Sequence, residues 1–233
     1  MGLVGIIPAA GVAERIDGLP KYLLPVKEGY LLGVLCERMN EAGATDLLIG
    51  ANPNNRNLLE HYAPANALVY TKFSKTMSET VLAAQPWCGK ANVLFGMPDS
   101  WWSNQGGYRW LAEELSEELP CCVAVWKARE SQRGKLGMVM TQAKWIEGWQ
   151  RQIQEVIAVK DKPGPTNSFR DLWGAMAWHP RFWEFIRPED PHVGYAIERA
   201  VGSGVTVRAV SMNGEYWDCG TRDSYFELIR SFR

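Results

Sequence analysis

The stretch that most constrains this chain is its first apolar run and the bare loop behind it. Leu3 to Ile7 is apolar apart from Gly5, and it breaks off into Pro8-Ala9-Ala10-Gly11. A short apolar run bounded by turn residues reads as a buried central strand of a parallel sheet. Ala9, Ala10 and Gly11 carry almost no side chain, so a ligand can approach their backbone, and Gly11 is free to adopt a positive φ. Arg15 follows, then Lys21, the latter on a segment stiffened by Pro20 and Pro25. Exposed amides beside two cations suit a phosphate group. A tight turn packed under a helix uses the same small residues. The stretch is neither a Walker loop nor a dinucleotide fingerprint, because the Gly-Lys-Ser/Thr ending and the second and third glycines are missing.

Downstream, helical and strand patterns alternate. Leu31 to Ala42 reads as a helix, Asp46 to Ala51 as a strand, Asn52-Pro53-Asn54-Asn55 as a turn, Arg56 to Tyr62 as a helix and Ala67 to Thr71 as a strand. A helix opening at Ser78 and running to Ala84 follows, then a strand over Asn92 to Phe95. Such alternation favours an α/β fold with a mostly parallel, Rossmann-like central sheet and helices on both faces. Trp101 to Gly107 reads as a loop and Tyr108 to Glu118 as a helix. Cys121 to Trp126 reads as a central strand, and the polar, basic stretch Arg129 to Lys135 as a solvated connection rather than a binding patch. Gly137 to Met140, Trp145 and Gln152 to Val159 alternate as strands do and predict a small antiparallel addition. Leu172 to Trp178 is a further strand. Val205 to Val210 is another, and Arg222 to Phe232 closes the chain as a helix. The organisation expected is one domain over 1–233, with halves at about 1–128 and 129–233.

Two carboxylates stand out. Asp99 follows the Asn92 to Phe95 strand through Gly96-Met97-Pro98, which puts it at the carboxyl edge of the sheet, where open α/β sheets bind ligands. A turn aspartate capping the next element is the competing explanation. Asp218 lies in Asp218-Cys219-Gly220-Thr221, a turn that opens the last helix.

Composition excludes several classes. The 233 residues carry a formal net charge of -1, which gives no support to general binding of nucleic acid or membrane surfaces. No apolar run approaches the roughly 20 residues of a membrane span, and no signal peptide is expected. The five cysteines are odd in number and lack a CxxC spacing, so reduced thiols in the cytoplasm are expected. His61, His179 and His192 have no metal-ligand spacing. The 11 tryptophans suggest core bulk, sugar-stacking faces or a homo-oligomer interface.

The first loop, with Pro20-Lys21 and Leu23-Leu24-Pro25-Val26, resembles the N-terminal motif of the sugar-phosphate nucleotidylyltransferases. These are the NDP-sugar pyrophosphorylases, similar to glucose-1-phosphate thymidylyltransferase. Ala9, Ala10, Gly11 and Arg15 match as well. Ala13 and Glu14 depart from the pattern, standing where the family has Gly and Thr or Ser, and an acidic side chain there opposes nucleotide phosphates. Asp218-Cys219-Gly220-Thr221 resembles the family's Asp-x-Gly-Thr, with one residue fewer between Trp217 and the aspartate.

The resemblance implies transfer of a nucleoside monophosphate from a nucleoside triphosphate to a sugar 1-phosphate, with pyrophosphate leaving. It implies Arg15 on the leaving pyrophosphate and Lys21 on the α-phosphate. Ala9, Ala10 and Gly11 would hold the nucleotide, and Ser78, in the turn Thr76 to Thr80, the base or sugar. Lys162, in Asp161-Lys162-Pro163, would take the sugar phosphate, and Gly174 would lie in the strand lining the sugar. Asp99 and Asp218 would hold Mg²⁺, a hard ion suited to oxygen ligands. The short first loop keeps a cytidylyltransferase acting on a small phosphorylated alcohol in view. Glu14 keeps a non-catalytic nucleotide-sugar-binding relative in view. A glycosyltransferase would need an Asp-x-Asp motif, and Met97-Pro98-Asp99-Ser100 offers one aspartate.

Overall fold

The computed structural model describes residues 2–11, 15–16, 18–103, 106–143, 153–164 and 167–232, with the side chains of Arg15 and Ala143 outside that description. Ala13, Glu14 and Trp145 lie outside the described residues. The alternation yields β1 (Leu3–Pro8), α1 (Leu31–Glu41), β2 (Asp46–Ala51), α2 (Arg56–Tyr62), β3 (Ala67–Thr71), α3 (Met77–Cys88) and β4 (Asn92–Gly96). Then come β5 (Ser100–Trp102), α4 (Gly107–Glu113), β6 (Cys121–Lys127), β7 (Gly137–Ala143), β8 (Ile153–Asp161) and β9 (Asp171–Trp178). The chain ends through α5 (Gly194–Gly202), β10 (Val207–Ser211), β11 (Tyr216–Asp218) and α6 (Arg222–Ser231).

Among the described residues the main sheet has nine strands, in the order β6-β10-β8-β7-β9-β4-β1-β2-β3. β1 runs parallel to β2 and β4, and β2 parallel to β3. The fold class is the expected α/β one, and the sheet is mixed. Its antiparallel part is broader than a small addition: β9 runs antiparallel to β4, β6 and β7, and β8 antiparallel to β7 and β10.

β1 is apolar throughout because both of its faces are covered. Val4 and Ile6 join a core with Val81 and Ala84 of α3 and Ile197 of α5. Ile7 joins the opposite core with Leu35 and Met39 of α1 and Leu111 of α4. Burying each such aliphatic side chain stabilises the fold by about 1.5–3 kcal/mol. A third cluster sits at one end. It packs Leu24 and Leu31 against Trp101, Trp217, Tyr225 and Leu228, which joins the first loop to β5, β11 and α6. The Tyr225 hydroxyl donates to the Pro25 carbonyl at 2.7 Å across the same junction.

Several boundaries differ from the sequence reading, three of them for reasons that pairing and hydrogen bonding show. Ser100–Trp102 forms a strand rather than a loop, because it pairs antiparallel with β11. The helix expected to reach Glu118 stops at Glu113; the Ser116 hydroxyl accepts from the Leu119 N–H at 3.1 Å and stabilises a turn instead. α3 opens at Met77, capped by Thr76, whose hydroxyl accepts from the Glu79 N–H at 3.0 Å. Such a cap is worth about 1 kcal/mol. Of the nine tryptophans among the described residues, seven are buried in the chain's own core, which accounts for most of the surplus. Among the described residues no helix is long and apolar enough to cross a membrane.

Candidate active site

β1, β4 and the short turn at Lys21–Leu23 deliver their ends to one cavity of about 290 Å³. Ala9, Ala10, Gly11, Lys21, Thr76 and Asp99 line it. The sheet takes the Ala9 N–H, which donates to the Gly50 carbonyl at 2.8 Å. Gly11 does not adopt a positive φ. A Cβ added there would meet nothing within 4 Å among the described residues, so packing does not demand a glycine and the space stays open to a ligand. Pro20 enters the Lys21 turn with φ of -59°, and the Leu24 N–H closes it on the Lys21 carbonyl at 3.1 Å. The Arg15 backbone pairs with Pro20, one residue before Lys21; its side chain lies outside the described residues.

Asp99 is held by the element that sequence reading missed. β5 and β11 pair with Ser100 opposite Asp218, and the Cys219 N–H donates to the Asp99 carbonyl at 2.8 Å. The Ser100 and Tyr216 hydroxyls share a buried hydrogen bond of 2.7 Å beneath them. Burial pushes the Asp99 carboxyl up to about 6; the nearby Asp218 charge adds to the rise and Lys21 opposes it. Asp218 accepts the Gly220 N–H on Oδ1 at 2.7 Å.

Asp218 lines a second cavity, of about 440 Å³, with Arg129, Gln132, Lys135, Asp223 and Glu227. The Arg129 guanidinium stacks 3.2 Å from the Trp217 ring centroid. Burial lowers its pKa, and the charges of Glu215 and Glu227 counter that shift. The acidic pair thus bridges the two cavities, Asp99 lining one and Asp218 the other.

The pair fits a divalent cation. Two neighbouring carboxylates in a partly desolvated position repel each other until a positive charge joins them. Among the described residues no group of three or more His, Cys, Asp or Glu could form a full protein cage. One or two carboxylates plus phosphate oxygens and water is how Mg²⁺ is usually held.

Three sequence-predicted residues are not brought to these cavities. Ser78 is fully buried within the first turn of α3, and it is Thr76, the cap before it, that faces the first cavity. Gly174 lies inside β9, where an added Cβ would collide with the Tyr216 ring, so it is a packing glycine. Lys162 is exposed just beyond β8 at φ 42°, its N–H donating to the Leu136 carbonyl at 3.1 Å, and it lines neither cavity. Sequence reading passed over Arg129 and Lys135 as a solvated loop. It also passed over Asn52 and Asn55, read as a turn, whose side chains bond the carbonyls of Ala9, Ala10 and Gly11.

Comparison with known proteins gives consistent answers. A family model described as "MobA-like NTP transferase domain" matches residues 5–200. A crystal structure of UDP-glucose pyrophosphorylase complexed with UDP-glucose superposes with a TM-score of 0.79 at 17% identity, covering 100% of this chain and 98% of that one. A UTP-bound UGPase from Acinetobacter baumannii superposes with a TM-score of 0.76 at 15% identity, covering 100% of this chain and 93% of that one. At such identities the likeness is one of fold. None of the curated protein sequences compared matches the chain.

Proposed function

The chain belongs to the MobA-like NTP transferase family and is a nucleotidyltransferase, and from that premise we propose that its acceptor is a sugar 1-phosphate, converted to an NDP-sugar with release of pyrophosphate. One observation carries this reading: Asp99 and Asp218 stand side by side, each lining a different cavity. One cavity then takes the nucleotide and the other the acceptor, and their phosphates meet at the pair. A single domain over 1–233 serves both, with the nucleotide half at about 1–128 and the acceptor half at about 129–233.

The backbone of Ala9, Ala10 and Gly11 holds the triphosphate. Lys21 neutralises charge at the α-phosphate, and Arg15 is assigned to the leaving pyrophosphate. An oxygen of the acceptor phosphate forms the new bond to the α-phosphorus as the bond to the β-phosphate oxygen breaks. The acceptor is already an anion, so no side chain has to remove a proton. Positioning and charge neutralisation supply the rate. Asp99 and Asp218 fit Mg²⁺, which when bound lends positive charge to the phosphate oxygens. Arg129 and Lys135 are the cations of the acceptor cavity, and they take the role that sequence resemblance suggests for Lys162. The neighbouring pyrophosphorylase bound to UDP-glucose supports a sugar acceptor. The free, buried thiols agree with a cytoplasmic enzyme.

The test is to incubate the protein with each nucleoside triphosphate, Mg²⁺ and a panel of sugar 1-phosphates and small phosphorylated alcohols. Phosphorus NMR reads the product. A new diphosphate diester with a sugar 1-phosphate supports the reading; product only with a phosphorylated alcohol replaces the sugar.

A further inference from the structure

The turn after β2 is built from two asparagines, each of which uses both its side-chain oxygen and its side-chain nitrogen. Asn52 Oδ1 accepts the N–H groups of Asn54 at 2.9 Å and Asn55 at 3.1 Å. Asn55 Oδ1 accepts the Asn52 N–H at 2.9 Å. With both oxygens used inside the turn, the two amide nitrogens are forced to face away from it. There Asn52 Nδ2 donates to the carbonyls of Ala10 at 3.0 Å and Gly11 at 3.1 Å, and Asn55 Nδ2 donates to Ala9 at 2.7 Å. Three successive carbonyls of the first loop are therefore strapped to one neighbouring turn.

A trans peptide is planar, so the carbonyl of one residue and the N–H of the next point in opposite directions. Turning the carbonyls of Ala9 and Ala10 toward the asparagines turns the N–H groups of Ala10 and Gly11 the other way. Ala9, Ala10 and Gly11 line the first cavity, and neither asparagine does. Successive amides aimed into a concavity form an anion-binding nest.

We propose that Asn52 and Asn55 are positioning residues that aim the Ala10 and Gly11 amides at the phosphates of the nucleoside triphosphate. The proposal rests on the nucleotidyltransferase reading above. Neither asparagine touches the nucleotide. Each acts by denying the loop carbonyls any orientation that would face an anion. The loop has almost no side chains to fix its own peptide planes, so the strap has to come from outside it.

The test uses Asn52→Asp and Asn55→Asp. Aspartate keeps the oxygen that closes the turn and replaces the donating nitrogen with a second oxygen, which repels the loop carbonyls. Asn54→Asp is the control, since it adds the same charge to the same turn without belonging to the strap. Isothermal titration with Mg²⁺-nucleoside triphosphate gives affinity without any need for turnover. Steady-state kinetics gives the KM of each substrate, and thermal melting reports the fold. Weakening of nucleotide binding by about tenfold in both strap variants is expected. The acceptor KM, the melting temperature and the Asn54→Asp affinity should stay near wild type. Should an aspartate variant fail to fold, Asn55→Ser keeps a short acceptor in the turn and removes the reach to Ala9; it carries the same expectation.

Nucleotide affinity in the strap variants equal to that of Asn54→Asp overturns the proposal. So does a loss matched by an equal loss of acceptor binding and of melting temperature. If wild type binds nucleotide without turnover, the reaction reading fails while the strap is still decided by affinity. If wild type binds no nucleotide, both fail.

Discussion

The Cys219 N–H reaches the Asp99 carbonyl across 2.8 Å, joining the middle of the chain to its tail. That one bond, with the β5–β11 pairing beside it, makes a site out of two aspartates far apart in sequence. Asp99 arrives from the end of a central strand. Asp218 arrives from the turn that opens α6.

The acidic pair predicts a trade between stability and activity. Asp99→Asn removes a carboxylate that burial and the Asp218 charge both disfavour. In metal-free buffer this variant should melt no lower than wild type, and Asp218→Asn likewise, because asparagine still offers an oxygen to the Gly220 N–H. Turnover should fall by roughly a hundredfold or more in each, the usual cost of a lost charge-stabilising contact. Paired melting and rate measurements check both halves.

The cations should separate by substrate. Lys21→Ala should lower kcat by about a hundredfold. Arg129→Ala and Lys135→Ala should raise the acceptor KM and leave the nucleotide KM unchanged. Arg129→Lys should not restore it, because a lysine cannot reproduce the planar stack on Trp217. Lys162→Ala, at an exposed position, should stay within about twofold of wild type. Initial rates with each substrate varied in turn decide this.

Two glycines should fail in different ways. Gly174→Ala drives a methyl into the Tyr216 ring and should cost about 1–3 kcal/mol of stability, read by denaturant titration. Gly11→Ala meets nothing within 4 Å among the described residues and should fold normally, while its nucleotide affinity drops as the methyl fills the ligand's space.

Much of this was legible in the sequence, and the misses share one cause. β1 announced itself as an apolar run because both its faces are buried, and Asp99 followed from its place after β4. Asp218 stood out by its Asp-x-Gly-Thr turn. β5 was illegible: three residues have no period of their own, and the strand forms only because β11, remote in sequence, pairs with it. Arg129 looked like a solvated loop cation because Trp217, which holds it, is also remote in sequence. Asn52 and Asn55 read correctly as a turn, and sequence could not say that their nitrogens would face Ala9 to Gly11. Local chemistry was readable; partnership across the fold was not.

The thiols provide a check on the core. All five cysteines are buried and free, and burial pushes Cys36 and Cys88 from 9.0 up to about 12, the others upward as well. Native protein at pH 8 should therefore show no thiol reactive to Ellman's reagent, and denatured protein all five. Because the folded pKa values lie above the unfolded ones, this contribution to stability is complete below about pH 9 and is lost as pH rises toward 12. Unfolding midpoints in guanidinium should be lower at pH 10 than at pH 8.

The most direct measurement is pyrophosphate release by the purified wild-type protein, given a nucleoside triphosphate, a sugar 1-phosphate and Mg²⁺, alongside Asp99→Asn and a chelator control. Release that requires both substrates, stops on chelation and falls at least a hundredfold in the variant is the predicted result. Release that persists undiminished in Asp99→Asn, or that needs no acceptor, would contradict a reaction centred on the Asp99–Asp218 pair.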